Sequence, residues 1–374
     1  MLCSALAACS GGGSESDPPV SGAWVDMRPA PISGRSPTAA SWTGKEMLVW
    51  GGGSCTANPC QYDNVEPVGD GAAYDPATDT WRGIAPSPLS PRTGAASDWT
   101  GKELLVWGGG VGTTEIFSDG AAYDPATDTW RTLAPSPLAA RRTAGLWTGR
   151  EFLVWGGRDI VNTRFFADGA AYDPATDRWR MLPPSPLSAR EMRSGLTWTG
   201  TEAVFWGGGT SDEAFGDGAA YDPATDRWRS LSPSPMDARF VPAVWTDNEV
   251  VFWGGEDWMQ VFGDGAAYDP AADRWRPLAP SPLAARITSA EVWTGTEVVL
   301  WGGSNGTYNS YMADGAAYNP ANDRWRRVPA WSGRLADGLW TGREMIVWGG
   351  IVPTGGTAQA AEIASAADGR RYVP

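Results

Sequence analysis

The 374-residue sequence contains no histidine. That absence excludes a histidine general base, a Ser-His-Asp triad and histidine-ligated zinc. Lysine is nearly missing as well, with only Lys45 and Lys102, and the net charge is −14. So acidic a chain is not a passive binder of nucleic acid or of anionic lipid; its charge keeps the surface soluble. There is no apolar run of transmembrane length. Cysteines number four, and a lone pair without histidine or a second pair is a poor metal site, so neither metal nor cofactor is expected.

What is abundant is tryptophan, glycine and repetition. Asp-Gly recurs at Asp70, Asp119, Asp168, Asp217, Asp264 and Asp314, in steps of 49, 49, 49, 47 and 50 residues, with a reduced copy at Asp368. A period near fifty built of short strands predicts a propeller rather than a helical solenoid. In the second copy a run of small residues, Thr93 to Ser97, leads to Trp99 and reads as the innermost strand, where a crowded taper favours small side chains. The Thr-Gly-Lys-Glu turn at 100–103 reverses the chain into Leu104 to Trp107, apolar on both faces, and Gly108 and Gly109 end that strand. The third strand, Ala121 to Tyr123, runs into the turn Asp-Pro-Ala-Thr-Asp, and Trp130 marks the outermost strand.

The Trp-Gly-Gly strand occurs seven times, at Trp50, Trp107, Trp155, Trp206, Trp253, Trp301 and Trp348. The last copy reaches Tyr372 but has no outer Trp strand, whereas Gly22-Ala23-Trp24-Val25 matches one. The expected fold is therefore all-β: a seven-bladed propeller with four antiparallel strands per blade, its last blade closed by both chain ends. A Gly-Gly pair ending one strand, followed by a Tyr and a Trp seven residues apart as in Tyr74 and Trp81, resembles the kelch repeat over residues 22–374. Galactose oxidase carries a propeller of this type and bacterial sialic-acid epimerases a related one. The copper site behind the oxidase chemistry is not transferable to a chain without histidine.

Residues 1–21 lie outside the repeat and read as the remnant of a lipoprotein signal and a flexible tether, with 22–374 as the single domain. Leu6-Ala7-Ala8-Cys9 resembles a bacterial lipobox, making Cys9 the lipidated residue. Only five residues precede Leu6, none basic, so Met1 reads as an internal start; the other reading is a frayed cytosolic tail on a protein that begins at Met1. A disulfide between Cys55 and Cys60 would brace an irregular loop in an oxidising compartment, and two free thiols are the alternative. The expected location is the bacterial cell envelope, lipid-anchored, or the cytoplasm under the second reading.

Turns between the first and second, and the third and fourth, strands share one face of the ring and barely vary; the second-to-third loops on the other face differ in every copy. Binding residues belong on the varied face. There stand the aromatics outside the repeat, Tyr62, Trp258, Tyr308, Tyr311 and Trp331, together with Arg158, Arg164, Asp212, Glu213, Glu256 and Asp257. Exposed aromatics among carboxylates suit a protein or a glycan ligand. Alternatively the rings fold back over their own loops. Arg35, Arg92, Arg141, Arg190, Arg239, Arg286 and Arg334 stand before the innermost strands at the channel mouth; they read first as scaffold, paired with carbonyls or the Asp of Asp-Gly, and otherwise as anion-capturing groups. Phe117, Phe166, Phe215 and Phe262, two residues before Asp-Gly, read as packing. The expected function is an extracytoplasmic, monomeric binding module, with no catalytic residues assigned. The alternatives are a sugar-active isomerase or hydrolase using loop carboxylates, as the resemblance to sialic-acid epimerases allows, and a structural assembly module.

Overall fold

The computed structural model describes residues 20–37, 39–55, 65–287, 290–306, 310–357 and 360–374. Seven four-stranded antiparallel sheets form blades 1 to 7 in chain order, with strands one to four running from the inside outward. Blade 2 is typical: Ala96–Trp99, Leu104–Trp107, Gly120–Asp124 and Thr129–Thr132. Its second strand is buried on both faces because a blade lies on either side of it, which is why Leu104 to Trp107 does not alternate. In the third strand Ala121 and Ala122 have no side chain to keep the neighbouring blade away, and Tyr123 faces Leu104 on one side and Trp130 on the other.

Blade 7 is assembled from Gly338–Trp340, Met345–Trp348 and Gly369–Val373 plus Ala23–Asp26 from the other end of the chain. Trp24 pairs with Tyr372 and Ala23 with Val373. Backbone hydrogen bonds between Ala23–Asp26 and Gly369–Val373 close the circle and leave the C-terminal strand without an open edge.

The core is not central. It is split into seven clusters, each straddling two neighbouring blades. In each interface the second-strand Trp of one blade meets the outer Trp of the next, from Trp50 with Trp130 round to Trp348 with Trp81, with ring centroids 5.0 to 5.8 Å apart. Each outer indole also donates to a carbonyl of the preceding blade's connection, as Trp130 does to Ala85 at 2.9 Å. The repeated Trp columns are therefore the mortar between blades.

Two features differ from the sequence expectation. The innermost strand of blade 2 begins at Ala96, not Thr93: Thr93 instead bridges Gly110, and Gly94 at φ +66° turns the chain inward. Several second-to-third loops also form small two-stranded ribbons, among them Arg158–Asp159 with Arg164–Phe165 and the longer Ile351–Thr357 with Ala360–Ser365.

Candidate binding face

The seven channel-mouth arginines are buried, and each forms an ion pair with the Asp of its own Asp-Gly at 2.5 to 3.2 Å. Arg92 shows the pattern: its guanidinium reaches both Asp119 carboxylate oxygens, the carbonyls of Ser90 and Gly108, and lies 4.3 Å from the Phe117 ring centroid. Phe166, Phe215 and Phe262 lie against Arg141, Arg190 and Arg239 in the same way. These guanidinium groups hold the loop bases together and are not presented to a ligand. In blade 7 the ring under Arg334 is Trp331, 3.8 Å away. Trp331 also stacks on Trp301 at 5.1 Å and packs against Trp24 at 5.3 Å, so it wedges the closing blade against blade 6.

The opposite face carries a second ring of arginines. Arg82, Arg131, Arg180, Arg229, Arg276, Arg326 and Arg371 pair with the Glu of the first turn in their own blade at 2.5 to 3.1 Å. The first six also donate to the Tyr hydroxyl of the next blade at 2.8 to 3.2 Å. Tyr74, Tyr123, Tyr172, Tyr221, Tyr268 and Tyr318 donate in turn to the last Asp of their turns at 2.6 to 2.8 Å. These Arg, Glu, Tyr and Asp side chains are thus engaged with one another rather than offered to a ligand.

The varied face does not repeat. Arg158 of blade 3 lies 3.6 Å from Glu191 of blade 4; Glu191 lies 3.9 Å from Arg193; and Arg193 pairs with Glu256 of blade 5 at 3.0 Å. The Arg193 guanidinium also sits 4.7 Å from the ring centroids of both Phe240 and Trp258, which meet edge to face at 5.2 Å. Trp258 is 41% exposed and Met259, beside it, 91%. Asp257 caps the same turn; desolvation works against its charge, but the amides of Gln260 and Met259 hold its carboxyl below the ordinary range. Asp212 and Glu213 stand exposed on the neighbouring loop of blade 4. Arg164 is exposed and lies 4.8 Å from the Phe166 ring. Tyr311 is half-buried, and burial raises its hydroxyl pKa. Of the sequence-predicted residues, the structure thus gathers Trp258, Glu256 and Asp257 on one tip, links them through Arg193 to Arg158, and leaves Trp331 in the blade 6 to blade 7 core. Tyr62, Tyr308, Cys9 and Cys60 lie outside the described residues, while Cys55 is disulfide-bonded.

A family model described as the KLHDC2/KLHL20/DRC7 Kelch-repeats domain matches residues 37–239, more than half of the sequence. The chain belongs to the kelch-repeat family. No curated protein matches it. Among solved structures it is similar to one titled "Structure of YjhT", with a TM-score of 0.59 and 16% sequence identity over 80% of this chain and 99% of that one. At that identity the likeness speaks for the fold alone. In all, 844 chains of solved structures resemble this one, too many for shared shape to select an activity.

Within this kelch propeller, sequence reasoning missed Glu191, Arg193 and Phe240. Glu191 and Phe240 each stand directly after a channel-mouth arginine, where blades 1 and 2 have Ser36 and Thr93, and Arg193 lies two residues beyond Glu191. Subtracting the repeat column by column would have exposed them, since a large or charged side chain in that column must leave the ring and cover a neighbouring loop. The second arginine ring was legible too, as a Glu at the fourth position of every first turn and an Arg after every outer Trp but Trp24.

Proposed function

We propose that this kelch propeller is a protein-binding module that engages its partner through the varied face over blades 3 to 5. The carrying observation is the contrast between the two faces. One repeats a closed Arg-Glu-Tyr-Asp wiring blade after blade, while the other bears a unique charge chain from Arg158 to Glu256 and the exposed pair Trp258 and Met259. A protein suits that surface better than a glycan, because Trp258 already has a guanidinium against its ring and an exposed Met offers nothing to hydroxyl groups. The sugar-active alternative gains no support from the loop carboxylates: Glu256 is neutralised by Arg193, Asp257 caps its turn, and Asp212 and Glu213 stand in solvent.

Export with a lipid on Cys9 is part of this proposal. Its support is the Leu6-Ala7-Ala8-Cys9 motif and the disulfide-bonded state of Cys55, which favours an oxidising compartment. Cys9→Ser should release the protein from the membrane fraction.

The test of the binding role is affinity capture from extract of the native cell with the wild type, an Arg158→Ala/Arg193→Ala variant, and Lys102→Glu, which alters an exposed side chain of a first-to-second turn. The partner should be lost with the double variant and kept with Lys102→Glu. Equal capture by all three would overturn the reading.

A further inference from the structure

We propose that the hairpin tip Asp257-Trp258-Met259-Gln260 of blade 5 is the anchor of the docking face, and that it enters an apolar pocket rimmed by Lys or Arg on the partner protein. This rests on the varied face being a protein-binding surface. The tip is built to hold its shape. Glu256 bridges both Phe240 and Val261, the Asp257 carboxylate accepts from the amides of Met259 at 3.0 Å and Gln260 at 2.9 Å, and the Asp257 amide donates to the Gln260 carbonyl. Trp258 adopts φ +76°, the left-handed region that favours glycine and penalises a bulky side chain. It is kept there by Phe240 and by Arg193, itself anchored on Glu256. A large ring in a glycine conformation, held from beneath and bare above, is strain spent on presentation. Its neighbour Met259 is almost wholly exposed, the most exposed large hydrophobic among the described residues.

The surroundings set the partner's charge. The base of the blade 4 loop packs against Phe240, the ring that meets Trp258 edge to face: a Cβ on Gly209 would lie 3.0 Å from Phe240 Cζ. That loop carries Asp212 and Glu213, exposed and without an ion pair among the described residues, and exposed Asp237 precedes the buried Arg239 nearby. On the other side the blade 6 loop meets Val261, from whose Cγ2 a Cβ on Gly306 would lie 2.7 Å. Among the described residues the cation in contact with the tip is Arg193, and it is already committed to Glu256 and the two rings. An apolar point in an uncompensated acidic field, on a chain of net charge −14, complements a hydrophobic pocket with a cationic rim. The same field repels a second copy of this chain and an anionic membrane.

The experiment places the photo-crosslinker p-benzoylphenylalanine at position 259, or at position 181 of an outer strand as control, in the full chain. After irradiation in native-cell extract, the crosslinked residue of the partner is mapped by mass spectrometry. The expected result is a crosslink from 259 alone, into an apolar pocket flanked by Lys or Arg, whose yield falls about tenfold with Asp212→Lys/Glu213→Lys or with Trp258→Ala. Competition by unlabelled protein should weaken to the same degree in Met259→Ser, a change too exposed to disturb folding. A crosslink into a polar or acidic surface or into a second copy of this chain overturns the proposal, as does a yield indifferent to these variants. If Arg158→Ala/Arg193→Ala abolishes capture while position 259 crosslinks nothing, the docking face stands and this anchor falls. Silence from the whole face removes both.

Discussion

Arg92 has no exposed side-chain surface, yet its partner Asp119 is more than half exposed. The asymmetry predicts which partner matters more. Asp119→Ala strands a buried guanidinium and should cost about 3 kcal/mol in urea denaturation, whereas Asp119→Asn keeps one acceptor oxygen for Arg92 and should cost less. At the same scale, Trp258 and Trp331 look alike in the sequence, as the two indoles outside the repeat, but the fold separates them. Trp331→Ala opens a hole among Trp24, Trp301 and Arg334 and should lower stability by about 3 kcal/mol. Trp258→Ala should cost roughly 1 kcal/mol or less, because its ring is part-exposed and its backbone strained. Equal losses in thermal melts of the two variants would refute this separation. The difference was not legible from residue type, since a ring's surroundings depend on which blade closes over it.

The turns behave as wiring between elements. Burial pushes the hydroxyls of Tyr123, Tyr172 and Tyr221 up to about 12; the bonds to Asp128, Asp177 and Asp226 add to this, and the neighbouring arginines oppose it. A folded value above the ordinary 10 means that the native state holds these protons when the unfolded chain has begun to lose them. The tyrosine contribution to stability should therefore be level from neutral pH to pH 10 and fall between pH 10 and about 12, in step with tyrosinate absorbance. A melting temperature flat across that interval would contradict the wiring. At the acid end the signs reverse. The Tyr123 and Tyr172 hydroxyls hold Asp128 and Asp177 below the usual carboxylate range, so their contribution is present above that range and lost as the pH falls through the lowered values. The sequence showed each turn as local chemistry, Pro and Asp in one and Thr-Gly in the other; that Tyr, Asp and Arg join neighbouring blades is a relation between residues about 40 positions apart.

The whole ring depends on its closure. Removing residues 20–28 would take Trp24 from Tyr372, Trp301 and Trp331 and leave the strand Gly369–Val373 as an open edge. The truncated protein should associate through that edge, and light scattering after size exclusion would show it; a monomer that melts cooperatively would refute the closure. Blade number, strand order and the join of the two termini were all determined by the sequence alone, because a repeated pattern of apolar strands and turn residues leaves one circular way to bury every copy. Only the tertiary structure decided which unrepeated side chains meet. Arg158, Glu191, Arg193, Glu256 and Trp258 come from three blades, and their juxtaposition follows from the angle at which those blades pack, which no local pattern encodes.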